Sequence, residues 1–139
     1  MNPSQMSQDQ IDPAQEAEDL ARLFNKLSQA LDDFRLSDSI PDDTPPELLA
    51  RLKDEAQALE DKAHFFTAEA IGATLQSVQI DLAKIKAATA EATAQVAKLN
   101  DVSKVISIAT AGLALGASIA SGNPGSIVAT AEAFAQAVA

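Results

Sequence analysis

The sequence predicts an all-α protein: an elongated, antiparallel bundle of three to five helices with long heptad-patterned helices and an apolar C-terminal helical hairpin. Three observations carry that expectation. Apolar residues make up 47% of the 139 residues, yet aromatics are only 4%, all Phe, and much of the apolar content is Ala, the best helix former. Apolar stripes at spacings of three and four recur along most of the chain. The six Pro and five Gly cluster mostly near the start, at 41–46 and at 122–125, leaving long stretches free of helix breakers. A chain of this length holds about one domain and can bury a core.

Residues 1–12 read as a polar disordered tail rich in Gln, Ser and Asp. A first helix is expected from Pro13 to about Leu36, with Asp12 as its cap and Glu16 and Glu18 in the early turns, where the helix dipole favours acids. Leu20, Phe24, Leu27, Leu31 and Phe34 form its apolar seam, widened by Leu23 and Ala30. The acidic, Pro-rich stretch 37–46 then turns the chain. Thr44-Pro45-Pro46-Glu47 matches a capping box, which starts a second helix at Pro45.

That second segment carries two stripes. The first is Leu49, Leu52, Ala56, Leu59, Ala63 and Phe66. The second, offset by about one position, is Ile71, Leu75, Val78, Leu82, Ile85, Ala92, Val96 and Leu99. The slip falls near Gly72 and marks either a stutter in one helix or a break between two. An unbroken helix over 45–99 would be ~80 Å long at 1.5 Å per residue. Asn100-Asp101 offers another break, since both residues cap helices better than they fill them. Residues 102–121 are the most apolar window. Gly122, Asn123, Pro124 and Gly125 form the hairpin turn, with Ser126 expected to cap a last helix whose apolar face is Ile127, Ala131, Phe134 and Val138. The expected organisation is thus a tail (1–12), an acidic amphipathic bundle (13–100) and an uncharged hairpin (101–139).

Charge divides the chain unevenly. Residues 1–66 hold fifteen acids against six bases, residues 67–139 five against four, and beyond Lys104 the one charged side chain is Glu132. A net charge of −10 disfavours nucleic acid, because it repels phosphate backbones. With no Cys there are no disulfides and no thiolate metal sites. The first ten residues lack a basic region followed by an apolar one, so no signal peptide is expected and cytoplasmic synthesis is the default; non-classical export, which would leave no mark in the sequence, and conditional membrane association are the alternatives.

Catalytic material is sparse, and no enzyme is expected. His64 is the sole histidine and reads as a packing or surface residue on an apolar-rich helix. The pairs Asp32-Asp33 and Asp42-Asp43 lack a calcium-loop pattern and read as solvated turns. No Gly-rich phosphate loop is present, so neither cofactor, metal nor small-molecule substrate is expected.

Gly112 and Gly116 form a small-xxx-small motif that Ala109 and Ala120 extend. Two Gly in a helix interior cost about 1 kcal/mol each relative to Ala, so a close approach of another group along this strip is expected to offset that cost. The approaching group belongs either to another molecule in a tight association or to Phe-bearing neighbours within the bundle. The expected contact residues are Ile108, Ala109, Gly112, Leu113, Leu115, Gly116, Ile119 and Ala120 from one helix and Ile127 and Phe134 from the next. From Val105 to Gly122 eighteen uncharged residues approach bilayer-spanning length, but Ser, Thr, Ala and Gly fill much of the window.

Two function classes follow as expectations. The first is a non-enzymatic interaction or assembly protein that self-associates, or docks a helical protein partner, through the neutral hairpin. The second is a membrane-active protein that uses 102–139 as an inserting hairpin. In outline, long helices followed by an apolar hairpin resemble the ClyA-type α-helical pore-forming toxins over residues 66–139. The resemblance is one of architecture, carries over no residue of that family, and implies a small pore-forming or membrane-inserting subunit.

Overall fold

The computed structural model describes residues 13–38, 40–68 and 71–139; the expected tail at 1–12 and the Asp12 cap lie outside them. Among the described residues the secondary structure is all helical. The helices are α1 (Pro13–Arg35), α2 (Pro46–Ala68), α3 (Gly72–Ser77), α4 (Gln79–Lys98), α5 (Val102–Ser121) and α6 (Pro124–Val138). These six helices of the described residues exceed the three to five expected because the segment after the acidic turn is divided into three.

The first division lies before Gly72, where Ile71 leaves helical geometry at φ −86° and ψ 5°. The second is at Val78, with φ −120° and ψ 24°. No Gly or Pro marks Val78. Its amide is bonded three residues back, to Leu75 O, and Asp81 N returns to Val78 O, so the chain kinks without losing its apolar register. Ile71, Leu75, Val78, Leu82 and Ile85 are accordingly all buried.

Two expected caps are corrected. The helix after the acidic turn begins at Pro46, not Pro45, because a residue preceding Pro is pushed out of the α region. Thr44 therefore stands one position too early to cap it, and its hydroxyl donates to Pro41 O at 2.7 Å. Ser126 likewise does not cap α6. Asn123 does, accepting from Ser126 N at 3.2 Å, with Pro124 already in the first turn. The hairpin turn is thus tighter than Gly122–Gly125. Gly122 takes the left-handed conformation (φ 77°) that ends α5, Asn123 starts α6, and Gly125 lies inside the helix. At the other end of α5 the break at Asn100-Asp101 holds a true cap, with the Asp101 carboxylate accepting from Lys104 N.

Packing links five helices in a circuit: α1 lies against α2, α2 against α5, α5 against α6, α6 against α4, and α4 against α1, with α3 beside α1. One core cluster fills the space between them and draws on all six helices. Leu20, Phe24, Leu27 and Leu31 of α1 and Leu52, Leu59 and Phe66 of α2 are fully buried. Phe24 and Phe66 meet edge-on, with ring centroids 5.1 Å apart and an interplanar angle of 73°. Ser28 of α1 satisfies its hydroxyl by donating to Ala56 O at 2.7 Å. The α1–α4 seam is closed at its rim by Lys86, whose Nζ lies 2.6 Å from Glu16 Oε2 and 3.7 Å from Asp19 Oδ2.

Candidate interaction surface

The hairpin residues expected to meet another molecule face inward. Ile108, Ala109, Leu115, Ile119, Ile127 and Phe134 are fully buried; Gly112 and Gly116 are buried, and Leu113 and Ala120 are half-buried. The small-residue strip is occupied from within the chain: a Cβ at Gly112 would lie 3.4 Å from Leu27 Cδ2 and Phe134 Cε1, and one at Gly116 only 3.0 Å from Phe24 Cε2. Of the two explanations for the glycine pair, packing against Phe-bearing neighbours is the one present in this fold. Gly112 makes room for Leu27 of α1 and Phe134 of α6, Gly116 for Phe24 of α1 and Lys62 of α2.

The two glycines should respond differently to substitution. Gly112→Ala is expected to stabilise the fold by about 0.5–1 kcal/mol, because helix propensity improves while the new methyl makes ordinary contacts. Gly116→Ala is expected to be neutral or to destabilise, since Phe24 is held against Phe66 and cannot give way. Thermal unfolding should therefore place Gly112→Ala above Gly116→Ala; the reverse order would contradict the packing described here.

With the glycine face turned inward, α5 presents its other side. Ser103, Ser107, Thr110, Ala114, Ala117 and Ser121 are exposed and fall at alternating spacings of four and three, one line along the helix. α6 adds the exposed Val128, Ala129, Ala133 and Gln136, and Glu132 is its one charge. Small side chains make this face smooth and nearly neutral, on a chain of net charge −10. The outer strip has the same helical spacing in the sequence as the inner one. The large apolar residues Val102, Val105, Ile106, Ile108, Leu115 and Ile119 lie on the buried side, and the outer line holds only Ser, Thr and Ala. Hydrophobicity therefore separates the two sides, although small residues occur on both.

Polar bonds seat the hairpin. Lys104 Nζ donates to Ala137 O at 2.6 Å and Gln95 Nε2 to Val138 O at 3.2 Å, meeting carbonyls that the last turn of α6 leaves unpaired. On the other side Thr110 Oγ1 donates to Glu55 Oε2 at 2.6 Å, and Arg51 Nη2 donates to Thr110 Oγ1 at 3.2 Å. Glu55 is 8% exposed. Burial pushes its carboxyl above the ordinary 4.5, while the Thr110 hydrogen bond and the Arg51 charge pull it back.

His64 is exposed at the end of α2, beside a shallow depression shared with Glu18, Arg22 and Asn25. A groove of about 430 Å³ runs between α1 and α4 past Lys26, Asp33, Phe34 and Val96, and the Ser37 hydroxyl at its edge is engaged with Phe34 O. Among the described residues no three His, Cys, Asp or Glu side chains converge as a metal site would require. α5 is long and apolar enough to cross a membrane by length and composition, and half of its apolar window is buried in the fold. Compared with protein-family models, curated proteins and solved structures, the chain matches none.

Proposed function

We propose that this chain is a non-enzymatic helical assembly protein, made in the cytoplasm, that associates with a second copy of itself through the outer face of its C-terminal hairpin. The observation that carries the reading is the exposed line from Ser103 to Ser121, uncharged and small along its whole length. Small residues let a facing helix approach closely, and neutrality matters here. Two molecules of net charge −10 repel, and the two hairpin helices carry only Lys104 and Glu132 as charged side chains. In this reading the molecule is an elongated antiparallel bundle whose heptad-spaced inner faces build the core and whose outer hairpin face builds the assembly.

Sedimentation velocity tests it. Ala114→Lys and Ala117→Lys place charge on exposed positions without touching the core. Each is expected to shift the wild-type oligomer to monomer with unchanged helical circular dichroism. A wild-type protein that stays monomeric at every concentration would remove the reading.

A membrane-inserting hairpin is the second reading, favoured by the length and apolar composition of α5. It requires the hairpin to leave the core, since half of the α5 window is buried. Liposome flotation and dye release separate the two readings: binding and leakage support insertion, and their absence under all conditions leaves protein association.

A further inference from the structure

Glu55 is a carboxylate placed where a charged group is poorly served. It sits at the α2–α5 seam, 8% exposed, with Oε2 accepting from Thr110 of the hairpin. Its other oxygen, Oε1, is buried and has no hydrogen-bond partner among the described residues. Arg51, one turn earlier, is the charge that acts on it, but Arg51 Nε stands 3.9 Å from Oε2 and its side chain is 53% exposed. Water screens such a pair, and Arg51 spends a second nitrogen on Thr110. Among the described residues, the other helices packed against α2 bring no further charge to bear. α5 faces Glu55 with the uncharged Thr110, while Lys104, its one charged residue, is turned to α6. α1 meets the adjoining turn with the uncharged Ser28, at Ala56 O.

We propose that Glu55 is a proton-operated latch on the hairpin: a proton taken up at this buried carboxylate tightens the seating of α5 on α2. The ionised group bears the cost of desolvation at Oε1 without a donor in return. The neutral carboxyl escapes that penalty and keeps Oε2 as the acceptor for Thr110. The direction follows from linkage. Because the folded carboxyl titrates above its ordinary 4.5, the stability it contributes is complete below that value and is lost as pH rises through the folded pKa. Acidification therefore closes the hairpin and neutral pH loosens it. This concerns how the hairpin is held, and stands whether or not copies of the chain associate.

Amide hydrogen exchange on the full chain, from neutral pH down to the ordinary glutamate range, tests the latch by comparing wild type with Glu55→Gln. Protection factors in α5 and α6 of the wild type are expected to rise on acidification relative to Glu55→Gln, which keeps an acceptor for Thr110 but takes no proton. The difference should be about tenfold for each pH unit separating folded from unfolded titration. Asp19 works the other way, since the Gln15 hydrogen bond, with Lys86 and Arg22, lowers its carboxyl and its stabilisation fades as pH falls, but it is common to both proteins and cancels. Thr110→Val removes the hydroxyl that favours the ionised form, and should move the wild-type response to higher pH. Identical pH profiles in wild type and Glu55→Gln would overturn the proposal. So would a Glu55-dependent difference spread evenly over all helices, which would mark a general stability effect and not a latch on the hairpin.

Discussion

Truncation before Asn123, which removes α6, is expected to convert the protein into an aggregate or a new oligomer. α6 buries Ile127, Ala131, Phe134 and Val138 against its neighbours, and Phe134 fills the space that Gly112 leaves open. Without it the inner faces of α5 and α4 lose their cover together, baring a contiguous apolar surface of the kind soluble monomers avoid. Lys104 and Gln95 also lose the carbonyls they serve. Size-exclusion chromatography with light scattering reads the outcome directly. A truncated chain that runs as a well-behaved monomer with full helicity would contradict the packing of α6.

Phe24→Ala is the single substitution expected to cost most. Its ring is fully buried, meets Phe66 edge-on and lies over Gly116, so it joins α1, α2 and α5 at one point. Deleting it loses the transfer free energy of the ring and leaves a cavity that three helices must share, which typically costs about 3–5 kcal/mol. Against a total stability of about 5–15 kcal/mol for a small domain, the variant should be close to unfolding at ordinary temperature. Urea denaturation measures the loss. Leu36→Ala is the natural control, because Leu36 is 73% exposed beyond the end of α1 and its truncation should stay within about 0.5 kcal/mol of wild type.

Much of this architecture is readable from residue spacing. The α1 seam from Leu20 to Phe34 is buried at every position, as are Leu52, Ala56, Leu59, Ala63 and Phe66 of α2, because a helix with one apolar stripe has one way to face a core. Breaks that carry their own chemistry are equally legible: Asp101 caps α5, and Gly122 with Pro124 turns the hairpin. The kink at Val78 is not legible. It depends on a local tightening of backbone bonds and leaves the apolar period intact, so no residue type announces it.

The large apolar residues of α5 mark its inward side, but what approaches its glycine strip is not legible from α5 alone. Gly112 and Gly116 indicate a close contact, and a close contact exists, but spacing within one helix does not say whether the approaching group belongs to the same chain. Phe24 and Phe134, distant in sequence, decide that. The Arg51–Thr110–Glu55 cluster is hidden for the same reason. Thr110 and Glu55 lie 55 positions apart, and neither residue is unusual until α2 and α5 are brought together.

The proposed association of the outer hairpin faces is tested most directly by cross-linking at a single engineered thiol. The chain has no cysteine, so Ala117→Cys introduces a unique one in the middle of the exposed strip, and Ala90→Cys places one on the exposed side of α4 as a control. Under mild oxidation Ala117→Cys is expected to form disulfide-linked dimers rapidly and at low concentration, while Ala90→Cys stays largely monomeric. Equal and slow cross-linking at both positions would contradict assembly through the hairpin.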